Sequence, residues 1–76
     1  MNNNRRKLLE DISTELDDLK TRLEDILSEE EEYHDNIPES MQGGEKFATS
    51  EEAIEAMESA ISQIEEAIDS VENAAV

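Results

Sequence analysis

The sequence predicts an all-α fold: an antiparallel, coiled-coil-like two-helix hairpin that dimerises into a four-helix bundle. Three observations predict it. Apolar residues recur at steps of three and four in two long stretches, the spacing that keeps side chains on one face of a helix. Between the stretches stand Pro38 and the pair Gly43-Gly44, residue types that end helices and reverse chains. Both apolar faces are also wider than the seam of a single helix pair, and a second copy of the hairpin would remove the excess from water. The competing reading is a monomer whose spare stripe receives a helix of another protein.

The first helix is expected over about residues 4–35, with Asn4 as its N-cap. Its seam is Leu9, Ile12, Leu16, Leu19, Leu23 and Ile26, flanked by Leu8 and Leu27. Glu30 then stands where an apolar residue is due, before Tyr33 and Ile37 resume the pattern. A carboxylate at that place is expected to be hydrated near the bundle end, with pairing to Lys46 as the alternative. Arg5, Arg6 and Lys7 oppose the positive end of the helix dipole, so the first turn should fray or be held by Glu10 and Asp11.

Residues from about 36 to 48 form the connector, within which Pro38 to Gln42 have room for one helical turn. Tyr33, Ile37, Met41 and Phe47 gather at this end of the hairpin, either as a cap on the core or as an exposed tip for a partner. Thr49-Ser50-Glu51-Glu52 reads as a capping box, so the second helix is expected over about residues 50–73. From Ala53 onward the same heptad repeats three times, with Ile54, Met57, Ile61, Ile64, Ile68 and Val71 as its seam. Ala53, Ala60, Ala67 and Ala74 precede each first heptad residue, widening the stripe and allowing another backbone to come close.

A chain of 76 residues is one domain with a modest core. It has 22 acidic and 6 basic residues, a formal charge of -16. Such a charge repels nucleic acid and anionic membranes and favours a basic protein partner. Acidic composition also suits disorder, but the apolar residues are periodic rather than scattered. No continuous apolar run follows the basic opening, so neither signal peptide nor membrane span is expected, and the absence of cysteine fits a cytoplasmic location.

Catalytic chemistry finds little footing. One histidine and no cysteine cannot assemble a nucleophilic triad, and no glycine-rich phosphate loop exists, so the chain is not expected to be an enzyme. Glu31-x-x-His34 has the spacing of ferritin-like di-metal helices. However, both residues flank the seam and the second helix offers no inward acid, so no metal or other cofactor is expected. Glu29, Glu30, Glu31 and Glu32 lack the alternating ligands and glycine of a calcium loop and read as a solvated face.

The tract Glu31-Glu32-Tyr33-His34-Asp35-Asn36-Ile37-Pro38-Glu39-Ser40-Met41-Gln42-Gly43, followed by the Ala-Ile heptads from Ala53 to Ile68, resembles small, acidic, uncharacterised helical proteins encoded by phages and integrative mobile elements of Gram-positive bacteria. The Asp-Asn-Ile-Pro-Glu connector is its distinctive part, and nearly the whole chain is covered. The resemblance implies a mobile-element setting, in which small acidic proteins neutralise host factors in the host cytoplasm; it transfers no catalytic residue.

The expected function is therefore a non-enzymatic acidic binding module, an inhibitor that presents carboxylates to a host defence or nucleic-acid-handling protein as DNA presents phosphates. The candidate partner-binding residues are Glu51, Glu52, Glu55, Glu58, Glu65, Glu66, Asp69 and Glu72, on a helix with no lysine or arginine after Lys46. Alternatives are a homo-oligomeric assembly scaffold whose charge only keeps it soluble, and an antitoxin-like neutraliser that lends its apolar stripe to a partner helix.

Overall fold

Local chemistry places the helix ends. The computed structural model describes all 76 residues, with helix α1 over Asn3–Asp35, a 3-10 turn over Glu39–Met41 and helix α2 over Glu45–Ala74. Asn2, not Asn4, is the N-cap of α1: its backbone is extended and its side-chain oxygen accepts the Arg5 N–H at 2.8 Å. The cap moves back because Asn3 and Asn4 already hold helical geometry, and Asn2 satisfies one of the donors that every helix start leaves free.

Arg6 is held by the hairpin and not by the acids of its own first turns. Its Nε donates to the Ala75 carbonyl at 2.9 Å, and its two terminal nitrogens donate to the Asn3 side chain and the Met1 carbonyl. In an antiparallel pair the start of one helix lies beside the end of the other. A cation that opposes its own dipole therefore complements its neighbour's, and it also caps an orphan carbonyl there.

The connector follows the pattern of its proline. Asn36 closes α1 with its N–H on the Glu32 and Tyr33 carbonyls, Pro38 continues in extended geometry, and the Met41 N–H returns to the Pro38 carbonyl at 2.8 Å. Neither glycine takes a positive φ, so the reversal uses no left-handed residue. Gly44 fits a close approach, since a Cβ there would stand 3.2 Å from the Met41 carbonyl oxygen; at Gly43 the space is open.

Helix α2 begins five residues before the expected Ser50. Gly44 caps it in extended geometry with no side-chain bond, and Thr49 lies inside the helix rather than in a capping box. Glu45 suits the positive helix end, and the added turns bring the Phe47 ring onto His34 with centroids 4.3 Å apart. Burying and stacking an aromatic residue outweighs a side-chain cap of about 1 kcal/mol.

The two helices run side by side in a rod with Cα extents of 60 × 15 × 12 Å. Leu9, Leu16, Leu23 and Leu27 of α1 are half-buried against Ile54, Met57, Ile61, Ile64, Ile68 and Val71 of α2. Only Ile37, Ser50 and Ile61 are buried. Ile37 closes the core at the connector end. Ser50 occupies the seam one heptad before Met57, and its hydroxyl donates to Glu30 Oε2 at 2.6 Å. The seam acid Glu30 thus meets the one seam hydroxyl of the opposite helix and forms no ion pair with Lys46, although both line one open hollow.

The expected α1 seam divides. Ile12, Leu19 and Ile26 were read with Leu9, Leu16 and Leu23 as one inward face, yet they stay exposed, as does Tyr33 one heptad further on. The flank of α1 that meets α2 is completed by Arg6, Ser13, Lys20, Leu27 and His34, seven residues apart and on the other side of the leucines.

Two stability measurements check this packing. Ile61→Asp should cost about 3 kcal/mol or more by burying a carboxylate without a partner, read as loss of helical circular dichroism. Ser50→Ala should cost about 1–3 kcal/mol by stranding Glu30, whereas Glu30→Leu combined with Ser50→Ala should recover most of that loss in urea unfolding.

Candidate protein-interaction faces

Seven-residue periodicity sorts the surface into columns, and cross-helix contacts fix which columns are neighbours. Lys20 Nζ lies 3.7 Å from Glu65 Oε1, the Ser13 hydroxyl donates to Glu72 Oε1 at 3.3 Å, and His34 Nε2 lies 3.6 Å from Glu51 Oε1. These three contacts set the column Ser13, Lys20, Leu27, His34 against the column Glu51, Glu58, Glu65, Glu72. One flank of the rod is therefore acidic along its length, and Glu55 and Asp69 lie one step further round α2. Glu52 and Glu66 are on the back of that helix. All eight expected binding acids are exposed.

The acidic flank is not without compensation. Lys20 sits at its centre with a side chain 23 % exposed, a base contributed by α1 that the sequence of α2 alone does not reveal. At the connector end, Glu31, His34, Asp35, Glu51, Glu55 and Glu58 line one hollow. His34 Nε2 has no hydrogen-bond partner within it, and no group of three metal-ligating side chains converges anywhere in the chain.

The opposite flank is apolar along its centre, with Glu15, Arg22 and Glu29 on the outer edge of α1. Glu30, Tyr33, Glu45, Lys46, Thr49, Ser50 and Ala53 line a shared hollow, which places the Tyr33 column beside the Ala53 column. Extended along the heptads, large side chains at Ile12, Leu19, Ile26 and Tyr33 run beside small ones at Ala53, Ala60, Ala67 and Ala74. The four large residues are 44–54 % exposed. On α2 the next column out is Thr49, Ala56, Gln63 and Ser70, again free of acid.

The expected tip cluster is likewise divided. Ile37 is buried and Phe47 half-buried, so these two cap the core, while Tyr33 and Met41 are exposed and line a shallow hollow with Asn36, Pro38 and Lys46. Sequence reasoning missed Ser13, Lys20 and Ser50 as cross-helix partners. Ser13 and Lys20, seven apart, each stand one position after a residue of the outer stripe, a column that the apolar pattern hides, and Ser50 stands seven positions before the seam residue Met57.

No helix is long and apolar enough to cross a membrane. No family model, curated protein or solved structure matches the chain.

The Lys20–Glu65 pair is a partly exposed contact of the kind worth about 0.2–1 kcal/mol. Lys20→Met should accordingly leave the unfolding free energy in urea within about 1 kcal/mol of the parent.

Proposed function

We propose that the protein is a non-enzymatic, paired acidic module that binds a basic, nucleic-acid-handling protein in the cytoplasm through the carboxylate flank, competing with nucleic acid for the same surface. The observation that carries this reading is the unequal placement of charge: an unbroken acidic column of Glu51, Glu58, Glu65 and Glu72 along one flank of the rod, and an opposite flank whose α2 columns carry no acid. A charge serving solubility alone needs no such sorting, because scattered acids keep a protein soluble equally well.

Charge density supports the same reading. Sixteen net charges on a rod 60 Å long is one per about 3.8 Å, against ~3.4 Å per phosphate on one DNA strand. Two copies side by side carry one net charge per about 1.9 Å, near the ~1.7 Å of duplex DNA. Pairing is favoured by the uncovered stripe, since four large apolar side chains in one line exceed the scattered exposure ordinary for a monomer. A mobile-element inhibitor of host defence is the setting that the connector resemblance suggests.

Two experiments test the proposal. Affinity capture with the parent chain should recover basic proteins at low salt, lose them at high salt, and release them to added duplex DNA. Glu55→Lys, Glu58→Lys, Glu66→Lys and Asp69→Lys together should abolish capture while preserving helicity, because all four are exposed and none pairs with Lys20. Capture that DNA and salt leave unchanged would refute the mimicry. In sedimentation, the parent should run as two chains at micromolar concentration and Leu19→Asp as one helical chain; an unaltered parent-like mass for Leu19→Asp would refute pairing through the stripe.

A further inference from the structure

If two hairpins join through the apolar flank, two symmetric face-to-face arrangements are open to them. In one, the two-fold axis runs along the rod, α1 lies over α2 of the second copy, and both connectors are at the same end. In the other, the axis runs across the rod, α1 lies over α1 and α2 over α2, and the connectors are at opposite ends. The side chains of the flank distinguish these.

Size is the first criterion. The exposed column of α1 is large throughout, at Ile12, Leu19, Ile26 and Tyr33, and the neighbouring column of α2 is alanine throughout, at 53, 60, 67 and 74. Helix axes approach to about 8–10 Å according to the side chains between them. Setting α1 over α1 stacks large on large along one edge and alanine on alanine along the other, so the layers splay and leave a void beside the alanines. With α1 over α2, a large column meets a small one along both edges, the layers stay evenly spaced, and the contact reaches the density of a protein interior.

Charge is the second. Outside the large column, α1 carries Leu8, Glu15, Arg22 and Glu29, all exposed, and Glu15 and Arg22 flank Leu19 in one hollow. With the stripes in full overlap, α1 over α1 sets Arg22 against its own copy and Glu15 against Glu29, like charges in both cases. With α1 over α2 the same residues face the column Thr49, Ala56, Gln63 and Ser70. Gln63 can accept from Arg22 there, and Ser70 can donate to Glu15.

Area is the third. Residues 8–33 rise about 38 Å and two helices abreast are about 20 Å wide, so each copy covers roughly 750 Å². That is close to the ~800 Å² per partner of a standard interface.

We infer that two copies pair with their connectors at the same end, α1 of each lying over the alanine column of α2 of the other, and with the acidic flanks facing outward on both sides. This rests on the paired reading above. It gives the assembly one connector end, where two Tyr33–Met41 hollows stand side by side, and one terminal end bearing both sets of Arg5, Arg6 and Lys7.

The orientation is measurable because the chain has no cysteine and position 43 has open space around a Cβ. Gly43→Cys, spin-labelled on its single thiol, should give an interchain electron–electron distance below about 30 Å, the cross-section of a four-helix bundle with label arms. Opposite-end pairing would separate the labels by nearly the full 60 Å length. Lys7→Cys, labelled at the other end, should give a short distance as well. Sedimentation of the same samples separates the two possible failures. A dimer with only long distances overturns the orientation and leaves pairing intact, whereas a monomer at every concentration overturns both.

Discussion

A helix in a two-helix pair is covered on one flank only, and this geometric limit governs the molecule. Helix α1 carries two apolar columns about 50° apart, the leucines at 9, 16 and 23 and the stripe at 12, 19 and 26. Turning the leucines and Leu27 toward α2 leaves the other column in water. The choice of flank follows from the polar residues beside the leucines. Lys20 and Ser13 reach acids of α2, and Glu30 reaches Ser50, so the inward flank of α1 satisfies its polar groups across the seam. Turning the stripe inward instead would forfeit those bonds.

Charge sorting follows from the same rotation. Once α2 presents its isoleucines to α1, its alanine column falls on one side and its glutamate column on the other, because both keep the seven-residue period of the seam. The α2 acids at 51, 58, 65 and 72 are thereby held away from the flank that a second copy would cover. The cations occupy places where they offset local fields. Lys20 stands at the centre of the acidic flank, and Arg6 stands where the end of α2 exposes a carbonyl.

Much of this was readable from the sequence because it rests on periodicity. The two helices, the Pro38 break, the short turn after it and the α2 seam all follow from spacing and from backbone chemistry. What was not readable required knowing which residues become neighbours. The start of α2 moved from Ser50 to Glu45 because Phe47 meets His34, a contact between residues thirteen apart that no local cap announces. The N-terminal cations looked misplaced until α2 supplied a helix end for Arg6. Glu30 looked unpaired until Ser50 came opposite. The acids of the candidate site were visible one by one, but the alignment of Glu51, Glu58, Glu65 and Glu72 beside Lys20 on a single flank depends on the rotation of both helices about the seam.

The central claim is that the stripe of Ile12, Leu19, Ile26 and Tyr33 is a surface made to be covered by a second copy. Tyr33 is the only tyrosine and the chain has no tryptophan, so its fluorescence reports on that stripe alone. Acrylamide, a neutral quencher indifferent to the charge of the chain, should reach Tyr33 freely in dilute solution and progressively less as protein concentration rises through the pairing transition. Quenching that is equally efficient at every concentration, in samples that remain helical throughout, would contradict the account.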